Sequence, residues 1–215
     1  MIRLVVAMTL LCSPMALAAA PTRATLPTQA PDFNGDGTSD LALGSILGDP
    51  YDQVNGGAVY LVFGGVGVGG HVDFLLEAPD GLLSGESSVA GTDQIGTDLT
   101  AGDFNGDGAV DLAVAAALRS NFTGAVFVFF GPFHSGTDRN LRHEAADWTL
   151  LGSEPSAFFG AAVETVDFDA DGVDDLLVSG SRTGEGYRET GVVYGFRGGP
   201  GIGVERMDGK WPRRM

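Results

Sequence analysis

DFNGDGAVD, residues 103–111, is the stretch that decides the fold, because three aspartates, an asparagine and two glycines stand directly before an apolar run. Two close copies occur in the same chain: DFNGDGTSD at residues 32–40 and DFDADGVDD at residues 167–175. A pattern that returns three times at long intervals indicates a repeated structural unit. The features around each copy return with it.

A short apolar run follows each acidic string and begins at Leu41, Leu112 and Leu176. After a loop, each repeat reaches a second run that starts with glycine and is rich in Val, Tyr and Phe. β-Branched and aromatic residues in short stretches bounded by glycine favour strands. The second runs are GAVYLVFGG from Gly57, GAVFVFFG from Gly124 and GVVYGFRGG from Gly191.

Further strands are predicted between these runs, and no part of the chain has helical periodicity. They lie at His71–Leu76, Gly96–Phe104, Trp148–Leu151 and Gly160–Phe168. Each repeat therefore supplies about four short strands joined by glycine-rich turns, which is typical of a sheet module that stacks on copies of itself. We expect an all-β fold: a β-propeller-like array of about three four-stranded blades, incomplete or open.

Each acidic string has the pattern of a cation-binding loop. The side chains at its first, third, fifth and ninth positions carry oxygen, and the backbone carbonyl of the seventh can turn to the same point. Five or six oxygens completed by water suit a hard cation such as Ca²⁺, and glycine at the sixth position permits a sharp turn. The predicted ligands of the second loop are the side chains of Asp103, Asn105, Asp107 and Asp111 and the carbonyl of Ala109.

The other two loops offer equivalent ligands, so we expect up to three Ca²⁺ ions in a structural role. In the first loop they are the side chains of Asp32, Asn34, Asp36 and Asp40 and the carbonyl of Thr38. In the third loop they are the side chains of Asp167, Asp169, Asp171 and Asp175 and the carbonyl of Val173. An EF-hand is excluded, because it needs a glutamate at the twelfth position and flanking helices. Hydrogen-bonded turns without a metal remain the alternative.

With these loops the chain resembles the FG-GAP repeats of integrin alpha-subunit β-propellers and of many exported bacterial proteins. Their pattern places Phe-Gly about seven residues before a DxNxDGxxDL loop, which a GxVYVF strand follows. Phe159-Gly160 precedes Asp167 at this distance, and Ile95-Gly96 precedes Asp103. The resemblance covers residues 32–200 and implies propeller blades braced by structural calcium loops. Two elements depart from the pattern. The family's strand after the loop often ends in Gly-Ala-Pro, which is replaced here by residues 44–46, 115–117 and 179–181, and the first repeat lacks an upstream Phe-Gly.

Composition and the first residues indicate an exported, acidic protein. Arg3, the apolar run after it and the small residues at 16–18 predict a signal peptide at 1–18, with a linker at 19–31. The 28 acidic and 12 basic residues give a net charge of −16, which excludes nucleic acid as a partner because its phosphates would be repelled. No segment has the apolar length of a membrane span, so no transmembrane anchor is expected. We expect the mature protein outside the cell or in a periplasm.

The number of blades leaves three arrangements open. Propellers usually close with four to eight blades, whereas this chain carries three loops in residues 32–200 and then a tail at 201–215. A homodimer could complete a ring of six blades, the three blades could form an open stack capped by the chain termini, or the chain could be a truncated fragment of a larger propeller protein. The sequence does not choose among them.

No catalytic motif accompanies the repeats. His71, His134 and His143 are scattered, and the chain contains no nucleophile elbow or Walker loop. The string at residues 65–70 matches GxGxxG in form, but a strand and not a helix is predicted after it, so it is interpreted as a hairpin loop. We therefore expect no catalytic residues and a secreted, non-enzymatic calcium-binding scaffold that contacts an unknown protein or carbohydrate. The alternative is a calcium-dependent enzyme that acts on polysaccharide. The basic segment Pro132–Asp147 is either a ligand-contacting insertion or a solvated connection.

Overall fold

A computed structural model describes residues 31–52, 55–65, 78–88, 91–182, 190–202 and 204–206. The predicted signal peptide, the predicted linker up to residue 30 and the predicted strand His71–Leu76 lie outside these residues. Among the residues described, none of the helices has the length and apolar content needed to cross a bilayer. The helical segments are the short turns Pro50–Asp52 and Arg119–Phe122.

The described chain is built from short strands, as the glycine-bounded apolar runs predict. In chain order they are β1 (Leu41–Ser45), β2 (Ala58–Val62), β3 (Gly81–Ser84), β4 (Ser87–Ser88), β5 (Gly91–Thr92), β6 (Leu99–Gly102), β7 (Asp111–Ala115), β8 (Ala125–Phe129), β9 (Thr137–Asn140), β10 (Trp148–Leu151), β11 (Val163–Val166), β12 (Asp175–Arg182), β13 (Thr190–Phe196) and β14 (Val204–Arg206). The all-β prediction is confirmed.

Three larger sheets correspond to the three repeats, and we call them blades. Blade 1 has the strand order β1-β2-β3-β9, blade 2 has β14-β10-β8-β7-β6, and blade 3 has β11-β12-β13. Within each blade the consecutive strands pair antiparallel in equivalent register: Leu41 faces Val62, Leu112 faces Phe129, and Leu176 faces Phe196. This register defines which positions of the three blades are equivalent. The blades form an open propeller-like array.

Blades 1 and 2 each gain one strand from the part of the chain that forms the following blade. Strand β9, which lies between β8 and β10 in sequence, pairs parallel with β3 of blade 1. Strand β14, which follows β13, pairs parallel with β10 of blade 2. Neither strand was predicted from the sequence, in which residues 137–140 belong to a basic connection and residues 204–206 to the tail. Blades 2 and 3 are therefore each tied to the preceding blade by backbone pairing.

The prediction that the basic segment Pro132–Asp147 is a ligand-contacting insertion or a solvated connection needs correction. It contains β9, and the guanidinium of Arg139 lies 5.5 Å from the ring centroid of Phe129 and 3.3 Å from a carboxylate oxygen of Asp147. Glu144 forms a second ion pair with the same arginine. Arg139 thus holds the segment against blade 2 and is not available to a ligand, because its guanidinium is already occupied by protein groups.

Apolar clusters fill the spaces between neighbouring blades. The first joins blades 1 and 2 and contains Phe33, Val59 and Leu61 from one side and Val114 and Phe129 from the other. The second joins blades 2 and 3 and contains Val126, Val128 and Trp148 together with Leu176 and Phe196. Alternate residues of blade 2 point to opposite faces, because side chains alternate along a strand. Blade 2 therefore packs against blade 1 with one face and against blade 3 with the other.

Candidate metal loops

The three acidic loops occupy equivalent places in the three blades. The second loop connects β6 to β7, the third connects β11 to β12, and the first leads directly into β1. Their last aspartates, Asp40, Asp111 and Asp175, lie at the start of these strands. Because β1, β7 and β12 are equivalent strands, the loops lie at the same end of each blade.

The first aspartate of each string organises the loop. Oδ1 of Asp103 accepts hydrogen bonds from the backbone N–H groups of Gly106 at 2.8 Å and Asp107 at 3.1 Å, and Oδ2 accepts one from Gly108 at 2.9 Å. Gly106 and Gly108 have φ values of +78° and +86°, which glycine adopts without strain. Asp32 makes the same three contacts in the first loop. The two loops are therefore folded alike.

The third and fifth positions add to the same turn. Oδ1 of Asn105 accepts from the N–H of Asp107 at 2.8 Å, and Oδ1 of Asp107 accepts from the N–H of Ala109 at 2.8 Å. Equivalent hydrogen bonds from Asp36, Thr38, Asp171 and Val173 recur in the other two loops. The hydrogen bond from Thr38 is also the main reason why the pKa of Asp36 is lowered. The side chain of the fifth residue thus holds the backbone of the seventh residue, whose carbonyl is a predicted ligand.

The ninth aspartate ties the loop to the end of the second strand. The carboxylate of Asp111 is fully buried and accepts 2.9 Å hydrogen bonds from the N–H groups of Phe104 and Gly131. Asp40 and Asp175 make the equivalent pairs of contacts. Burial raises the pKa of Asp111 to about 7, although the two N–H groups act in the opposite direction. Burial also raises the pKa of Asp40. A nearby cation would favour the charged form of both groups.

The glycine that supplies this second N–H group was not predicted from the sequence. It is Gly64, Gly131 or Gly198, each of which lies two residues after the end of β2, β8 or β13. A Cβ atom on Gly131 would lie 2.4 Å from the carbonyl oxygen of Val110, and one on Gly198 would lie 2.2 Å from that of Asp174. Only glycine allows this approach. The recurring glycine at the end of each GxVYxF run was the available signal.

The third loop differs from the other two in charge and in backbone. Carboxylate oxygens of Asp167, Asp169 and Asp175 lie within 4.8 Å of one another. Asp169 stands where the other loops have asparagine, and Arg197, which replaces a phenylalanine of the equivalent strands, forms an ion pair with it. Ala170 has a φ of +59° where the other loops have glycine. The additional negative charge of Asp169 is thus partly balanced by the positive charge of Arg197.

The chemistry of the donor set fits a hard cation. All twelve predicted side-chain ligands are carboxylates or amides and lie in three short turns. Among the described residues, the carboxylates of Asp167, Asp169 and Asp175 meet within 4.8 Å, whereas the aspartates of the first two loops do not form such a group. Carboxylate, amide and carbonyl oxygens are the ligands that Ca²⁺ takes in proteins. The assignment of these residues as calcium ligands stays a prediction, and the hydrogen-bonded turns give it a preformed backbone.

Comparison with known families bears on the repeat itself. The sequence profile described as FG-GAP repeat matches residues 95–129, which include Ile95-Gly96, the second acidic loop, β7 and β8. The chain is an FG-GAP repeat protein. In this FG-GAP repeat protein, Phe159 and Ile95 of the Phe-Gly positions are buried and contact Gly124 and Gly57 of the preceding blade. The motif therefore serves to dock one blade on the next.

The relatives of the FG-GAP repeat protein are much longer than the chain. It is 31% identical to the Homo sapiens phosphatidylinositol-glycan-specific phospholipase D over 170 residues, which cover 77% of the chain and 19% of that protein. It is 34% identical to the Drosophila melanogaster integrin alpha-PS5 over 154 residues, covering 69% of the chain and 14% of the integrin. For the Homo sapiens integrin alpha-11 the identity is 37% over 83 residues, 38% of the chain and 6% of that protein. The chain spans at most about a fifth of these relatives.

Proposed function

We propose that this FG-GAP repeat protein is a secreted, non-enzymatic scaffold whose three acidic loops bind calcium and whose outer surface contacts a protein or carbohydrate. The observation that carries the proposal is the threefold repetition of one loop fold at one end of the blades. The approach of Asp167, Asp169 and Asp175 to within 4.8 Å of one another supports it. Without a cation, such carboxylates repel one another.

The loops also contact the neighbouring blade, which gives the ion a structural task. The carbonyl of Phe33 in the first loop accepts a 2.8 Å hydrogen bond from the N–H of Phe133, and that of Phe104 in the second loop accepts one from Gly199. Asp174 of the third loop accepts a 2.8 Å hydrogen bond from the N–H of Asp103. An ion that holds a loop in shape therefore also holds the contact between blades.

The expected affinity and stabilisation are modest per site but large in sum. Extracellular calcium modules have dissociation constants on the order of 0.1 to 1 mM. At ten times the dissociation constant, each independent site adds about 1.4 kcal/mol to the free energy of unfolding, so three sites add about 4 kcal/mol. Since domains are stable by only about 5–15 kcal/mol, calcium would be a major part of the stability.

Isothermal titration calorimetry with calcium tests the proposal. We expect three sites in the unaltered chain, and one site fewer in each of the variants Asp36→Ala, Asp107→Ala and Asp171→Ala. Glu154→Ala, which removes an exposed carboxylate outside the loops, serves as the matched control and keeps three sites. Unchanged stoichiometry in all three loop variants would contradict the ligand assignment, and absence of binding to the unaltered chain would refute the calcium function.

The enzymatic alternative has one observation in its favour, because several relatives are named phosphatidylinositol-glycan-specific phospholipase D. A cavity of about 10 Å³ lies beside Gly152, Ser153, Glu154, Ala157, Phe159 and Tyr194. It is smaller than the roughly 300 to 1,000 Å³ of ordinary ligand pockets, and its lining offers one carboxylate. We therefore infer no catalysis. Release of product from a phosphatidylinositol-glycan or an acidic polysaccharide by the purified chain, lost on substitution outside the loops, would reverse this conclusion.

Export is the remaining part of the proposal. It is supported by the residues of the predicted signal peptide, 1–18. Expression of the full chain in an export-competent host, followed by N-terminal sequencing, checks it directly. We expect the exported protein to begin at residue 19, whereas a chain that is retained in the cytoplasm with its first residues intact would contradict export.

A further inference from the structure

The second and third acidic loops are joined directly to each other by one residue, Asp174. Its backbone N–H donates a 3.0 Å hydrogen bond to the carbonyl of Asp103, and its carboxylate accepts a 2.8 Å hydrogen bond from the N–H of Asp103. Both polar groups of the Asp103 backbone are thus bonded to the third loop. Gly102 permits this approach, because a Cβ atom there would lie 2.8 Å from the carboxylate of Asp174.

Both partners in this contact lie within candidate metal sites. Asp103 is the first predicted ligand of the second loop, and its carboxylate holds the backbone of that loop by the hydrogen bonds described above. Asp174 lies between Val173, whose carbonyl is a predicted ligand of the third loop, and Asp175, the ninth-position ligand. Val173 also reaches the second loop, where a Cβ atom on Gly106 would lie 3.1 Å from its side chain. A change of shape in either loop therefore acts on ligand-bearing backbone in the other.

The contact between the first and second loops differs, because Val110 takes the place of Asp174. The side chain of Val110 has no oxygen to accept a hydrogen bond, and it packs against the apolar cluster between blades 1 and 2. The first loop contacts blade 2 through the carbonyl of Phe33, which accepts from the N–H of Phe133. Phe133 follows β8 and belongs to none of the acidic loops, so this contact does not join two metal sites.

The second and third loops also differ in how closely their carboxylates approach one another. In the third loop Asp167, Asp169 and Asp175 meet within 4.8 Å, whereas the aspartates of the second loop do not form such a group among the described residues. The second loop must therefore rearrange to surround an ion, and the cost of ordering it opposes binding. A neighbour that already holds part of a loop lowers this cost, which produces positive cooperativity.

We propose that calcium binding in the third loop strengthens calcium binding in the second loop through Asp174, while the first site binds independently. This inference rests on the calcium function proposed above and adds a coupling between two of its sites. Coupling between sites in proteins typically changes affinity by about 5- to 150-fold. Because one residue carries the hydrogen bonds of this contact, we expect a factor at the low end, about fivefold. Linkage requires that the second site strengthen the third by the same factor.

An NMR titration of the full chain with calcium resolves the three sites. The backbone amides of Gly37, Gly108 and Gly172, the sixth residues of the loops, report the first, second and third sites. Asp171→Ala removes a third-loop ligand and should raise the calcium concentration at half-saturation of Gly108 about fivefold. Asp36→Ala removes the equivalent ligand of the first loop. It is the matched control and leaves the Gly108 titration unchanged.

Variants of Asp174 identify the route of the coupling. Asp174→Ala removes the acceptor for the N–H of Asp103, so the effect of adding Asp171→Ala on the Gly108 titration should fall to about twofold or less. Asp174→Asn keeps an oxygen at that place without the charge and should retain the fivefold effect. Repulsion between two bound cations would act in the opposite direction and would treat the two variants alike. Circular dichroism checks that each variant is folded.

The outcomes separate the coupling from the calcium function itself. The coupling is overturned if the Gly108 titration is unchanged in the third-loop variant, if the first-loop variant shifts it equally, or if the full shift persists in Asp174→Ala. The first two comparisons do not require that Asp174→Ala folds. By reciprocity, Asp107→Ala should shift the Gly172 titration by the same factor, and an unaltered Gly172 titration would also overturn the coupling. If none of the three glycine amides responds to calcium in the unaltered chain, the calcium function fails together with the coupling.

Discussion

The substitution Asp107→Ala separates calcium ligation from ordinary loop structure. In the second loop the Asp107 carboxylate accepts hydrogen bonds from the N–H of Ala109 at 2.8 Å and from Nδ2 of Asn105 at 2.9 Å, and both are exposed. Without calcium, loss of these exposed bonds is offset by relief of the repulsion from Asp103, so the change in unfolding free energy is small. At ten times the dissociation constant, loss of the site costs about 1.4 kcal/mol more.

Thermal unfolding followed by circular dichroism measures this difference. For a domain of 150–250 residues, about 1.4 kcal/mol corresponds to a fall of roughly 3–6 °C in melting temperature. We expect this fall in calcium and almost none in chelator, while the control Glu154→Ala changes neither value. Equal falls in calcium and in chelator would refute the reasoning, because Asp107 would then act as a turn residue and not as a ligand.

Three further substitutions test particular contacts. Ala170→Gly relieves the left-handed backbone at φ +59° and should raise the unfolding free energy by about 1 kcal/mol in a denaturant titration; no gain would show that the backbone there is unstrained. Asp174→Ala leaves the N–H of Asp103 without its 2.8 Å acceptor and should cost about 1–3 kcal/mol, whereas an unchanged midpoint would mean that this contact between blades is dispensable. Burial raises the pKa of Asp98 above its ordinary 3.8. The contribution of this carboxyl to stability is therefore full below pH 3.8 and is lost as the pH rises through its folded-state pKa. The unfolding free energy of the unaltered chain minus that of Asp98→Asn should fall over that pH range, and a rise would contradict the raised pKa.

The elements that the sequence predicts correctly are those whose signals are local. Aspartates at alternate positions and the glycine at the sixth position mark the loops, and the runs from Gly57 and Gly124 contain β2 and β8. Each of these signals depends on residues that are close in the chain. For this reason the repeat, the all-β class and the place of the loops were accessible before the structure.

The strands that sequence analysis missed depend on distant partners. TDRN of β9 and VER of β14 are short and polar, and they become strands because they pair with β3 and β10. The burial of a side chain also depends on residues that are distant in the chain. Phenylalanine occupies the second position of all three loops, yet Phe104 is buried and Phe168 is 53% exposed. The difference lies in the neighbouring blade, which no local pattern encodes.

Thermal unfolding of the unaltered chain in calcium and in chelator tests the central claim most directly, because the three loops are claimed to be metal sites that hold the blades together. If all three sites are occupied at ten times their dissociation constant, a stabilisation of about 4 kcal/mol predicts a rise in melting temperature of about 10 °C. Magnesium at the same concentration controls for ionic strength and should give a smaller rise. One cooperative transition at the same temperature in calcium and in chelator would contradict the account.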